Sequence, residues 1–294
     1  MQSIALISYQ DPPFISESDV LLTSAFKEKG ITAIFVAWDD KNVNWNDFDC
    51  VVFRSCWDYQ TRIEEFKEFL DLLENQNITT WNPLSIIRWN IHKAYLLELE
   101  KKGILIVPTI EVSKNTVFSL ISLFKDKEYA EIIVKPAISA SAMGVIRIPV
   151  AEAEQRQVEV NKLLSSSDIL IQPLMPQISD GEMPLVFIGK KYSHSVLKKP
   201  KDGDFISNIE FGGAEAIIQP NPEIISQAEN IVNLIPGPLL YARVDGIIVD
   251  GKFMLMELEL IEPHLFFDLY PQAAPRFVGA LQSYSILHPA KKFS

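Results

Sequence analysis

The 294-residue chain is short of several things, and each shortage narrows what it can be. Its two cysteines, Cys50 and Cys56, flank one extended stretch, where a rise of about 3.3 Å per residue holds the sulfurs beyond disulfide reach. Unbridged thiols predict a reducing, cytoplasmic compartment. Cys56 lies close to Arg54 and Trp57, so a reactive thiol is conceivable, but a lone cysteine is more often a small packing residue. No apolar run approaches the roughly 20 residues that cross a bilayer. MQSIALISYQ lacks the basic start and apolar core of a signal peptide, so neither export nor a membrane partner is expected. Lysine and arginine total 27 against 38 acidic residues, a net charge of −11 with no basic stripe, which argues against nucleic acid as a partner.

What is present is an ordinary globular composition, 48% apolar and 22% charged, in a length that suits about two domains. IALIS (4–8), ITAIFVAW (31–38) and CVVFRS (50–55) read as strands. A helix over 17–30, stopped by Gly30, separates the first two. Thr61 and Glu64 have the spacing of a capping box for a helix through 66–74. Strand, helix, strand predicts a small doubly wound parallel sheet. One helix is predicted over 85–102, closed by Gly103, and a strand over 104–109. Beyond these, strands at 131–136, 144–149, 168–175, 184–200 and 239–260, with helices near 151–164 and 222–235, predict an α+β body of antiparallel sheets. The seam is expected near residue 90.

FMLMELELIEPHLFF (253–267) sets three glutamates in an apolar run, where an ionised carboxylate without a partner costs several kcal/mol. On YARVDGIIVDGKFMLMELEL the strand period puts Arg243 and Asp245 on one face, and Glu257 and Glu259 on one face of the next strand. Asp250-Gly251 signals a two-residue hairpin turn, which alone would set Asp245 opposite Met256 and send the acids to opposite sides. A shared site therefore requires a one-residue shift, by a bulge or a longer loop, that brings Asp245 opposite Glu257. Converging carboxylates with no Cys or His among them suit Mg²⁺ or Mn²⁺, and Arg243 beside them suits phosphate chemistry. A solvated edge strand with scattered acids is the plain alternative.

Lys135 ends the strand EIIVKP and precedes AISASAMG, small residues whose N–H groups could meet phosphate oxygens. The Walker GK[ST] signature is missing, and as a mere turn the run is unremarkable. Lys93 is a second cation candidate, although a lone lysine on a helix is usually solvated. Gln172 and Pro173 end another strand, where a free backbone edge or the Gln172 amide could pair with a base. A simple strand end is the competing reading.

Taken in order, FRSCWDY, WNIHKAYLLELEKKGILIVPT, SDGEMPLVFIGKKYSHSVLKKPKDGDF and YARVDG…MELELIEPHLFF resemble the ATP-grasp superfamily of glutathione synthetase and D-alanine–D-alanine ligase. Within it they are similar to the branch holding the O-ureido-serine cyclo-ligase of cycloserine biosynthesis. The resemblance covers the chain and implies an ATP-grasp fold: an N-terminal parallel α/β domain (1–90), a central subdomain with the phosphate loop (91–172) and a C-terminal subdomain with the metal site (173–294).

It implies that Lys93 and Lys135 hold nucleotide phosphates, with Ser139, Ser141, Ala142 and Gly144 in the mobile loop. Gln172 and Leu174 would meet the adenine and Glu182 the ribose. Asp245, Glu257 and Glu259 would carry Mg²⁺ or Mn²⁺, and Arg243 would steady the phosphoryl group. The expected activity is an ADP-forming ligase that activates a carboxylate as an acyl phosphate for an amine, with amino-acid-like substrates and a homodimer as the family-based assembly. Arg54 is the expected grip on a substrate carboxylate, Trp57 a pocket wall, and Lys198 and Asn208 the groups facing the acyl phosphate or the acceptor. The branch tends to have Arg after GDF, where this chain has Ile206, which leaves the acceptor open. A small-molecule kinase and a nucleotide binder without turnover are the rivals.

Overall fold

The computed structural model describes residues 3–10, 14–140, 142–201 and 212–287, which form three sheets. The first sheet is parallel, in the order β2-β1-β3-β4, from β1 (Ser3–Ser8), β2 (Thr32–Ala37), β3 (Cys50–Phe53) and β4 (Thr80–Trp81). Helices α1 (Glu17–Glu28) and α2 (Ile63–Asn75) accompany it. The chain then runs through two short helices, α3 (Leu84–Asn90) and α4 (Tyr95–Lys101).

The second sheet is antiparallel, in the order β5-β8-β6-β7, from β5 (Ile110–Val112), β6 (Glu131–Pro136), β7 (Ile146–Pro149) and β8 (Ile169–Pro173). Leu120 and Phe124 of α5 (Leu120–Lys127) and Val160 and Leu164 of α6 (Ala153–Ser166) pack on it against Ile132 and Ile171. The third, also antiparallel, has the order β11-β10-β9-β12-β13, from β9 (Met183–Ile188), β10 (Lys191–Lys199), β11 (Ala214–Ile218), β12 (Tyr241–Val249) and β13 (Lys252–Glu259). Helix α7 (Pro222–Asn233) packs on one face of it. Helix α8 (Ala273–Leu287) fills the space between the third sheet and the first, with Phe277 in one core with Ile4, Phe26, Val186 and Tyr241.

Several expectations need correction. The single helix over 85–102 is broken at 91–94, because the Lys93 N–H donates to Ala137 O (2.8 Å) and the Ala94 N–H to His92 Nδ1 (3.2 Å). Amides diverted in this way cannot continue an i to i−4 ladder. Residues 104–109 make no strand beyond one bridge, Ile106 to Leu255; Pro108 has no N–H to give, and pairing resumes at β5. Thr61 does not cap α2. Its hydroxyl donates back to Asp58 O (2.8 Å), Glu64 pairs with Lys67, and Arg62 occupies the cap position. The stretch 184–200 is a hairpin, with Gly189 and Lys190 both at φ +60° in its turn.

Candidate functional site

The β12–β13 hairpin combines both devices that its sequence raises. Asp250 (φ +49°) and Gly251 (φ +75°) make the two-residue turn, and Val249 faces Lys252. The register then shifts between Asp245 and Gly246, so that Asp245 lies opposite Glu257 and Arg243 opposite Glu259. Gly246 permits the shift: a Cβ there would lie 2.5 Å from both Met254 O and the Phe253 ring.

This hairpin forms one wall of a cavity of about 460 Å³. The second sheet contributes Lys135 and Gln172, the loop between β6 and β7 contributes Ser139 and Ala142, the break between α3 and α4 contributes Lys93, and Trp57 and Tyr59, past the end of β3, close it. Leu174, Glu182, Lys198, Arg243, Asp245, Glu257 and Glu259 also line it. Most of the expected residues thus meet in one place. Gly144 (φ +75°) turns the loop without lining the cavity, and its missing Cβ leaves room for the Pro136 ring. Ser141 and Asn208 lie outside the described residues.

Arg54 differs from expectation. It is 1% exposed, donates through Nε and Nη2 to Asp19 Oδ1 (3.1 and 2.8 Å) and through Nη2 to Pro263 O (3.1 Å), and packs against Tyr241, Phe267 and Phe277. Its charge is committed inside the protein and it does not line the cavity. The backbone edge at Leu174 is also in use, its N–H donating to Glu131 O (3.0 Å), and the Gln172 amide donates to Thr109 Oγ1 (2.8 Å). Glu182 and Lys198 are bridged through their backbones, each N–H 2.8 Å from the other's carbonyl, which holds both side chains on one stretch of wall.

The charged groups are arranged in pairs. Lys93 Nζ lies 2.8 Å from Glu257 Oε1 and donates to Ser139 O (2.6 Å). Burial opposes the Lys93 charge, but Glu257 outweighs it and raises the pKa. Burial likewise opposes the Glu257 charge, and Lys93 and Lys135 together pull its pKa down. Lys135 has no such close partner, and burial lowers its pKa despite Glu257. Arg243 donates to both Asp245 oxygens (Nε 2.9 and 3.0 Å, Nη2 2.7 Å) and to Glu259. Burial nevertheless raises Asp245, and raises Glu259 well above the usual carboxylate range. A desolvated cluster of this kind is stabilised when cations arrive.

Glu257 is drawn to Lys93 while Asp245 and Glu259 share Arg243, so the three hairpin acids do not gather as one ligand set. Among the described residues it is His92, Glu111 and Asp168 that bring three possible ligand atoms within 4.8 Å of one another. Two of the three are already engaged: His92 Nε2 faces Asp168 Oδ2 (3.1 Å), and Asp168 Oδ1 accepts the Lys114 N–H (2.6 Å).

Glu262, which sequence reasoning left without a role, lines the cavity, and burial pushes its pKa up to about 7. His264 lines it too, with Nε2 3.4 Å from Asp268 Oδ1. The signal that could have found both was a further acid and a histidine, Glu262 and His264, set within the same apolar run just past Glu259. His194 is buried, its ring nitrogens 3.0 Å from Ser193 Oγ and from Leu265 O, and it is not among the cavity residues. Cys50 and Cys56 are buried free thiols; burial raises Cys50 to about 12 and Cys56 well above its ordinary value, so neither is poised as a thiolate.

Residues 4–82 match the family model described as the N-terminal domain of D-cycloserine synthetase DcsG, and residues 93–262 match that of the prokaryotic glutathione synthetase ATP-grasp domain. The cycloserine biosynthesis protein DcsG of Streptomyces lavendulae is 29% identical over 290 residues, covering 94% of this chain and 93% of that protein. A glutathione synthetase of Prochlorococcus marinus strain MIT 9313 is 22% identical, over 76% of this chain and 70% of its own. The crystal structure of D-cycloserine synthetase DcsG superposes with a TM-score of 0.84 at 27% identity, covering 96% of this chain and 99% of that one. D-alanine–D-alanine ligase from Bacillus anthracis, complexed with ATP, shares the fold at a TM-score of 0.70 and 15% identity, over 97% and 98% of the two chains. With more than half its length under the second of these family models, and the hairpin acids inside that match, the chain belongs to the ATP-grasp family of the prokaryotic glutathione synthetases.

Proposed function

We propose that this chain transfers the γ-phosphoryl group of ATP to a substrate carboxylate and that an amine-type nucleophile then attacks the resulting acyl phosphate, releasing phosphate. The nucleophile belongs either to the same molecule, closing a ring, or to a second one. The observation that carries this reading is the convergence of Lys93, Lys135 and Arg243 with Asp245, Glu257 and Glu259 on the lining of one cavity. A carboxylate is a poor electrophile, and phosphorylation gives it a leaving group.

The donor set fits Mg²⁺ or Mn²⁺: three carboxylates on two paired strands, with neither thiol nor imidazole among them. Such ions, when bound, neutralise charge on the phosphate oxygens. Lys93 and Lys135 hold phosphates, Ser139, Ser141, Ala142 and Gly144 form the loop over them, and Gln172, Leu174 and Glu182 take the nucleoside. Arg243 meets the charge that develops in transfer, while Lys198 and Asn208 face the acyl phosphate. Trp57 bounds the acceptor side. Catalysis is then chiefly positioning and charge neutralisation. The three units of this machine follow residues 1–90, 91–172 and 173–294. The substrates are small and amino-acid-like, the working state is a cytoplasmic homodimer, and no helix among the described residues is long and apolar enough to cross a membrane.

Protein incubated with ATP, Mg²⁺ and a panel of amino acids, scored for ADP and free phosphate, tests the reading. A ligase releases both when the right acceptor is present. Phosphate retained on a product indicates a kinase, and no turnover with any acceptor indicates a binder. Mass spectrometry of the product separates ring closure from joining.

A further inference from the structure

Glu262 lies just past the metal-site acids, on the segment that leaves β13, and is 9% exposed on the cavity wall beside Trp57 and Tyr59. Trp57 Nε1 donates to the Glu262 carbonyl (3.0 Å), which fixes this segment on the cavity wall. The cations around it have closer partners. Lys93 is held by Glu257 and Ser139, Arg243 by Asp245 and Glu259, and Arg54 by Asp19. No hydrogen bond or ion pair reaches this carboxylate from another of the described residues; its own amide, with Lys93 and Arg243 at longer range, is what favours its charge. A carboxylate buried to this degree without a salt-bridge partner costs free energy that an arriving cation offsets.

We propose that Glu262, with Trp57 as its aromatic wall, is the subsite for the ammonium group of the amine substrate. This rests on the ligase reading of the cavity and deepens it. Phosphates and substrate carboxylates are repelled from Glu262 and drawn to Lys93, Lys135 and Arg243, so one charge map sorts the two ends of an amino-acid-like molecule. An indole beside the carboxylate favours a cation further. The aromatic wall is braced, since Phe14 packs on Trp57 (centroids 5.4 Å apart) and Tyr9 on Phe14 (5.2 Å).

The test is calorimetric titration of the full chain, loaded with Mg²⁺ and ADP, with a panel of amino acids and with the same compounds carrying hydroxyl in place of the amino group. The wild type is expected to prefer the amines. Glu262→Gln is expected to weaken amine binding about ten- to hundredfold, to leave the hydroxy compounds and ADP within about twofold, and so to erase the preference. Glu262→Asp, which keeps the charge on a shorter stem, should recover part of it. Equal amine binding by wild type and Glu262→Gln, or no amine preference in the wild type, overturns the proposal. Amines that bind through Glu262 without ADP formation in the turnover assay uphold the subsite and overturn the ligase reading instead.

Discussion

Lys93 Nζ and Glu257 Oε1 lie 2.8 Å apart, a pair formed between the kink that precedes α4 and the strand β13. Each is proposed to hold a different part of the incoming charge, the phosphates and the metal, and each keeps the other ionised in the meantime. Binding of nucleotide with metal therefore exchanges one neutralised pair for two. Glu257→Gln is expected to lower ADP formation about 10²- to 10³-fold, the usual loss when one such electrostatic contact is removed. Lys93 retains the Ser139 carbonyl, so the far-ultraviolet circular dichroism should not change. Wild-type turnover in this variant would remove Glu257 from the metal site.

Gly246 makes the opposition of Asp245 and Glu257 possible, and its substitution should act at a distance. In Gly246→Ala the new methyl would sit 2.5 Å from Met254 O, which is backbone and cannot swing away. Overpacking of this kind costs about 1–3 kcal/mol. The bulge should relax, turning Asp245 and Glu257 out of register. The expected result is a lower urea midpoint together with a weaker Mg²⁺ dependence of turnover. An unchanged Mg²⁺ titration would show that the register does not govern the ions.

That bulge was legible in the sequence because two requirements conflicted. Asp250-Gly251 demanded a tight turn, and a common site for the acids demanded one residue more. The parallel first sheet and the small-residue loop after Lys135 were likewise open to period and composition. The break at 91–94 was not. The local pattern favours one helix through Lys93, and what interrupts it is Ala137 O, 44 positions on, which takes the Lys93 N–H. Arg54 departs from expectation for a similar reason: its partner, Asp19, lies 35 positions earlier on α1, a pairing that no local rule supplies. Helix α8 is amphipathic, with Phe277, Val278 and Leu281 in the core and Arg276 and Ser283 exposed, but Pro275 and Gly279 inside its span blur the helical signal.

The Arg54–Asp19 pair, each side chain 1% exposed, gives a prediction opposite in kind to that for Glu257. Removing one partner leaves a buried charge, and such losses cost about 3–5 kcal/mol. Asp19→Asn also weakens the contact with the Ser55 hydroxyl, which donates to Asp19 Oδ2 (2.6 Å). Both Arg54→Met and Asp19→Asn should lower the melting temperature sharply while ATP affinity, measured below the transition, stays near wild type. A variant that folds normally yet has an elevated KM for the carboxylate substrate would return Arg54 to the substrate site.

His194 sets a pH dependence that is separate from catalysis. Burial lowers its pKa from 6.5 to about 4, with the Leu265 carbonyl partly opposing. The neutral ring is held between a hydroxyl and a carbonyl and stacks on Tyr270 at 4.8 Å. Between those two pH values the unfolded chain binds a proton here that the folded chain does not. Stability must therefore fall as pH drops through that window and be fully present above it. At about 1.36 kcal/mol per pH unit the loss is on the order of 3 kcal/mol. Other carboxylates titrate near the lower end of the window, so the informative quantity is the difference between wild type and His194→Gln. Glutamine can still donate to Leu265 O, but it carries no proton-linked charge. Urea unfolding at pH 7.5, 6 and 5 should show the wild type losing stability faster than the variant, and parallel slopes would mean that His194 is not the group being titrated.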